Sequence, residues 1–229
     1  MRNIPIGLLV VTLLAYACKK ETFTTTPVAS LKIINTVTGG SIVKLGSYPT
    51  NIANNAHADF GLFPDSTIYV YPNGDSLHPW YNHASKDVLI EENQYYSLFL
   101  GGTPTDVTAK LIKENIPVRA DSTAGIRFIH LSPNSGPVNV VLSTTPQVSE
   151  FFNIGYGEIT DFKSFPATAA NTSYTFQIIN PSTNKVITSI TMTGATVTTY
   201  VPRFKNVTLV FRGKTTGTPA AGITRVNHY

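Results

Sequence analysis

From residue 30 onward, short apolar runs recur along the chain, bounded by Gly, Pro, Asn or Ser, and most of them alternate apolar with polar positions. Leu31 to Asn35, Ile68 to Tyr71, Tyr95 to Leu100, Val107 to Ile112, Ile126 to Leu131, Val138 to Leu142, Tyr174 to Ile179, Val186 to Met192 and Val207 to Arg212 are of this kind. A period of two over four to eight residues belongs to a strand with one face on a core. The pairs Asn73-Gly74, Gly101-Gly102, Pro133-Asn134 and Pro181-Ser182 supply turn chemistry between the runs. The pattern predicts an all-β chain. The amino end is different: Arg2 precedes an apolar run from Ile4 to Leu14, broken only by small or weakly polar residues such as Gly7 and Thr12. That run is too short to cross about 30 Å of hydrocarbon, which takes roughly 20 residues, and it ends in small residues, so it predicts a cleaved export signal over residues 1–17.

A repeat organises the rest. Leu31-Lys32-Ile33-Ile34-Asn35 aligns with Ile126-Arg127-Phe128-Ile129-His130, and Tyr96-Ser97-Leu98-Phe99-Leu100 echoes Tyr174-Thr175-Phe176-Gln177-Ile178. The first spacing, about 95 residues, is too long for a solenoid and matches one immunoglobulin-like sandwich. The expected organisation is a tether over residues 18–29 and two tandem sandwiches, 30–119 and 124–229. The segment from Ile116 to Ser122, with Pro117, is the linker between them. From Thr22 to Ala29 the chain is polar, contains Pro27 and lacks helical periodicity, which suits a flexible spacer.

Composition strengthens the β reading: only 13% of residues are charged and 42% are apolar, with Thr, Val, Ile, Tyr and Phe prominent. The formal net charge is +4, spread without a Lys/Arg cluster, so nucleic acid is not an implied partner. Cys18 is the only cysteine, which excludes an intrachain disulfide. Ala15-Tyr16-Ala17-Cys18 resembles the lipobox of bacterial lipoproteins, with Leu14 one place earlier than that motif usually has it. The resemblance implies that Cys18 is lipidated and that the mature chain is anchored in the cell envelope, at the outer membrane, with the membrane as its first partner. Lys19-Lys20-Glu21 is similar to the charged signal that sends some Bacteroidetes lipoproteins to the cell surface; a solvated leader is the alternative.

The stretch Ile126-Arg127-Phe128-Ile129-His130-Leu131-Ser132-Pro133-Asn134-Ser135-Gly136-Pro137-Val138-Asn139-Val140 resembles the repeat opening of the bacterial domain-of-unknown-function family 4397. There an Arg-containing strand leads through a Ser-Pro turn into a Val-rich strand. Ile154-Gly155-Tyr156-Gly157 through Phe165-Pro166-Ala167 is similar to the family's second landmark, and Val226-Asn227-His228-Tyr229 to endings among its lipoprotein members. In the first half Asn35-Thr36-Val37-Thr38-Gly39-Gly40 stands where the Ser-Pro turn would be. The resemblance implies exported, sandwich-like repeats and brings no catalytic residues.

Candidate chemistry is sparse. There is no Gly-x-Ser-x-Gly elbow, Walker loop, His-Glu-x-x-His helix or Asp-rich calcium loop. Gly155-x-Gly157 lacks the third glycine of a dinucleotide loop and reads as a tight turn. No cofactor is implied. His78 and His83 could share a metal with Asp75 or His57, although loop residues that merely face solvent are commoner. His78-Pro79-Trp80-Tyr81-Asn82-His83 is the stronger candidate, with the sole tryptophan beside a tyrosine in a polar loop. Trp80 and Tyr81 could stack on a sugar face while His78 and His83 bond its hydroxyls, or they could anchor a protein partner; equally, Trp80 could plug one end of the sandwich. Phe151, Phe152 and Tyr156 allow the same two readings, and Arg127 reads as a solvent-facing or interdomain charge. The expected role is a non-catalytic envelope module that binds a glycan or envelope protein, and the alternative is an exported enzyme with an unrecognised, metal-dependent site.

Overall fold

The computed structural model describes residues 26–83, 88–193 and 202–228; the export signal, the lipobox and Cys18 lie outside them. Among the described residues every regular element is a strand. The first half contributes β1 (Ala29–Asn35), β2 (Val43–Leu45), β3 (Asn51–Ile52), β4 (Ala56–Leu62), β5 (Tyr69–Pro72), β6 (Tyr81–Asn82), β7 (Tyr95–Thr103) and β8 (Asp106–Lys113). The second contributes β9 (Thr123–His130), β10 (Val138–Leu142), β11 (Thr145–Ile154), β12 (Lys163–Pro166), β13 (Ser173–Ile179), β14 (Val186–Thr193), β15 (Asn206–Arg212) and β16 (Gly222–His228).

The two halves share one topology. Sheet β4-β1-β7-β8 in the first half has the same order as β12-β9-β15-β16 in the second, and β3-β2-β5-β6 the same as β11-β10-β13-β14. In both halves the first strand runs parallel to the seventh: Leu31 pairs with Tyr96 and Ile126 with Val207. The alignment of Leu31 with Ile126 therefore holds. The echo of Tyr96 in Tyr174 does not, because Tyr174 lies in β13, the counterpart of β5, whereas the counterpart of β7 is β15. Similar apolar runs on different strands of one sandwich misled the comparison. The pair Gly101-Gly102 is likewise not the turn; β7 runs through both and the chain reverses at Pro104-Thr105, between Thr103 and its partner Asp106.

Each half closes over its own core. Leu31 and Ile33 of β1, Val43 of β2, Phe60 of β4, Val70 of β5 and Leu98 of β7 meet in the first. Ile126 and Phe128 of β9, Val140 of β10, Phe176 of β13 and Leu209 of β15 meet in the second. A third apolar cluster joins the halves, in which Ile34 and Phe99 of the first pack on Ile129, Leu131, Val210 and Val226 of the second. The sheets holding β1 and β9 thus lie back to back, buried on both faces. This explains why β1, β7, β9 and β15 are almost wholly buried and read as nearly continuous apolar runs rather than clean alternations. The turn at Gly155–Gly157 docks across the junction, with Tyr156 Oη 2.8 Å from Thr108 Oγ1 and Lys110 Nζ donating to the Gly157 carbonyl at 2.9 Å.

Candidate functional site

The loop after β5 is built around Asn73-Gly74, where Gly74 takes φ +94°, a left-handed conformation that suits glycine. It leads into Asp75 and His78, whose Nδ1 donates to the Asp75 carboxylate at 2.8 and 3.0 Å while the ring is 80% exposed. Trp80 follows, its backbone N–H donating to the Val70 carbonyl at 2.8 Å, so that the chain enters β6 beside β5. Tyr81, expected in a loop, is therefore on a short strand. Trp80 and Tyr81 are both half-buried against the first core. Gly40 makes room for the indole: a Cβ there would stand 2.9 Å from Trp80 Cη2 and 2.8 Å from Val37 Cβ.

Trp80, His78 and Asp75 line an open cleft of about 630 Å³ together with Ser41, Pro104 and Thr105. Tyr81 and His83 stand outside it, their rings nearly parallel at 12° with centroids 6.3 Å apart, and Tyr81 Oη 3.4 Å from His83 Nδ1. The four candidate ligands do not converge: Asp75 meets His78, but among the described residues no three His, Cys, Asp or Glu side chains come together. His57 lies on β4 opposite Ile34, at the junction of the halves. Burial, and then the charge of Lys32, lower its pKa.

A second site was not legible as such in the sequence. Lys32 and Ser97 are register partners in the first inner sheet, Arg127 and Thr208 in the second, and these four polar positions face the junction. Arg127 forks onto Glu114, Nη1 at 2.8 Å and Nη2 at 2.5 Å from its two oxygens, with both side chains nearly inaccessible. Arg127 is thus the interdomain charge, not the solvent-facing one. Its Nε donates to Thr208 Oγ1 at 2.8 Å, which leaves the Thr208 hydroxyl proton for His228 Nε2 at 2.7 Å. Phe162 stacks on the guanidinium, 4.4 Å from its carbon. Burial would raise the pKa of Glu114, but hydrogen bonds from Arg127 and Ser97 and the Arg127 charge outweigh it and hold the carboxyl below its usual range. Burial, reinforced by Arg127, pushes His228 down to about 4, so it is neutral at neutral pH. On the first half Lys32 pairs with Asp59 at 2.6 Å. The signal that could have found this centre is the polar residue at the same place within each inner strand, Lys32, Ser97, Arg127 and Thr208, flanked by apolar neighbours.

The remaining candidates have structural places. His130 is buried; its Nδ1 accepts from the Ser132 N–H at 3.2 Å and its Nε2 donates to the Gly136 carbonyl at 3.1 Å, which fixes a neutral tautomer, and burial lowers its pKa. Phe151 joins the second core, whereas Phe152 is 76% exposed. Asn206 is buried and clamps the linker: Nδ2 donates to the Pro117 carbonyl at 2.8 Å and Oδ1 accepts from Arg119 Nε at 2.7 Å.

Comparison with known proteins gives a family model matched over part of the chain and, among solved structures, a weak likeness. Residues 66–141, about a third of the chain, match the model of the Domain of unknown function (DUF4397). The matched span runs from β5 into β10 and so crosses the linker, taking in the Ile126-to-Val140 stretch. A crystal structure described as a "putative cell adhesion protein" from Bacteroides eggerthii DSM 20697 aligns over 88% of this chain and 95% of its own, at 9% identity and a TM-score of 0.19. A score that low does not establish a shared fold. No curated protein matches the chain.

Proposed function

We propose that this chain is a non-catalytic binding module of the bacterial cell envelope, lipid-anchored through Cys18 at the outer membrane, that receives a glycan in the cleft at His78 and Trp80. The cleft carries the reading. It is open and of a size suited to a small ligand, and it is lined by one aromatic ring seated on the core together with imidazole, carboxylate and hydroxyl groups. A flat ring with polar groups beside it suits a sugar, whose apolar face stacks while its hydroxyls are bonded. Tyr81 and His83 support the loop from outside the cleft. The apolar run before Ala15-Tyr16-Ala17-Cys18 supports the anchor. No specific observation favours a catalytic reading.

The sole tryptophan is its own reporter. Titrating the mature chain with purified envelope polysaccharides is expected to shift Trp80 fluorescence saturably, and His78→Ala, at an exposed position, should weaken binding at unchanged stability. No fluorescence change across the panel, or full binding by His78→Ala, defeats the glycan reading. Trp80→Ala is the poorer probe, because the indole also fills space against Val37 and Gly40. The anchor is tested separately: palmitate labelling in growing cells should mark the wild type and not Cys18→Ser.

A further inference from the structure

The repeat has one conspicuous asymmetry at the junction. In the second half Gly125 of β9 lies between Ser164 of β12 and Asn206 of β15. This small-residue floor is covered by the guanidinium of Arg119, with Nε on Asn206 Oδ1 at 2.7 Å and Nη1 on Ser164 Oγ at 2.6 Å. The fit is close enough that a Cβ on Gly125 would collide with both Asn206 Oδ1 and the Arg119 guanidinium. In the first half the equivalent floor is Ser30 of β1, between Gly61 of β4 and Tyr95 of β7. There the same place is a hollow of about 310 Å³, lined also by Lys32, Asp59, Glu114 and His228. A Cβ on Gly61 would meet nothing within 4 Å.

We propose that this hollow is a binding site for a guanidinium group on an aliphatic stem, supplied by a small guanidine compound or by an arginine side chain. The counterpart seat supplies the precedent for shape, and the lining supplies the chemistry. Asp59, half exposed beyond its pairing with Lys32, and the Ser30 hydroxyl offer acceptors at the floor. Tyr95, also half exposed, and Ile116 of the linker give the stem an apolar wall and the cation an aromatic face. Glu114 is already paired with Arg127, so the carboxylate that can meet a cation among the lining groups is Asp59, half exposed beside Lys32, and His228 adds no positive charge at neutral pH. The site draws on both halves and the linker and is independent of the Trp80 cleft.

The test is calorimetric titration of the mature chain with agmatine, with acetyl-arginine amide and with acetyl-citrulline amide, the last matching arginine in shape without its charge. At least one guanidinium compound should bind saturably, with Kd on the order of 1 mM for so small a ligand. Binding should fall at least about 10-fold in Gly61→Leu, which fills the hollow, and in Asp59→Asn, which removes the charged acceptor. Tighter binding of agmatine would identify a free guanidine compound as the occupant, and tighter binding of the arginine amide an arginine side chain. Absence of binding by both, equal binding of the citrulline amide, or undiminished binding in Asp59→Asn overturns the proposal. Asp59 is exposed enough that its variant reports on binding even where Gly61→Leu fails to fold.

Discussion

His228 is held neutral by its burial, reinforced by the charge of Arg127, and this makes the junction sensitive to acid. Its folded pKa, about 4, lies below the ordinary histidine value of 6.5, so between those two values the unfolded chain binds the extra proton and the folded one does not. Stability is therefore full above pH 6.5 and declines as pH falls toward 4, by up to about 3 kcal/mol for this group. His130, also lowered by burial, adds loss in the same direction, and Glu114, held below its usual range, adds more once carboxyls begin to protonate. Urea midpoints measured from pH 7.5 to 5 should fall for the wild type, and His228→Gln should flatten that slope by about one histidine's share. An unchanged slope would mean that His228 titrates as if in water. Removing one partner of the buried pair acts at every pH: Glu114→Ala leaves Arg127 buried without its counter-charge and should cost about 3–5 kcal/mol, read from the same unfolding curves.

At the scale of the elements, the strands that were legible were those with a continuous apolar signature, β1, β7, β9 and β15 foremost, since burial on both faces leaves little polar interruption. The shortest strands and the edge strands β4, β11, β12 and β16 escaped, whereas the edge strands β8 and β14 were legible as Val107 to Ile112 and Val186 to Met192. β3 and β6 have two residues each, too few for any period, and β4 (Ala-His-Ala-Asp-Phe-Gly-Leu) carries its pattern only at its end. β11 is distorted by register shifts against β10 that scramble alternation. The Trp80 cleft was visible because rare aromatic and imidazole residues sit together in sequence. The Arg127 centre was not, because its members Lys32, Glu114, Arg127 and His228 are brought together only by the packing of one half on the other. That packing is close at β7, where a Cβ on Gly101 would lie 2.7 Å from Leu131 Cβ. Gly101→Ala should thus wedge the inner sheets apart at a cost of about 1–3 kcal/mol. Trimming the opposing side chain supplies the check: in the double variant with Leu131→Ala the two costs should add to less than their sum, whereas strict additivity would show that the two residues do not meet.

For the whole molecule, the consequence of back-to-back inner sheets is that neither half has a complete surface without the other. The linker does not act as a loose hinge, since Asn206 and Arg119 bind it to the second half and Glu114, just ahead of it, is locked into Arg127. Ile34 and Phe99, fully buried at present, would face water in a first half standing alone, together with the Lys32 and Ser97 positions shaped for a partner sheet. Interfaces between domains that are small and polar let each domain unfold on its own, while a large apolar one couples them. Calorimetry of the mature chain should accordingly give one transition, with van't Hoff and calorimetric enthalpies equal. Glu114→Ala should then lower the midpoint of that single transition rather than split it. Two resolved transitions in the wild type would instead mean that the cluster around Ile34, Phe99, Ile129 and Val210 contributes less than either core's own margin of stability. The guanidinium site, which needs groups from both halves, would then be lost at the lower of the two.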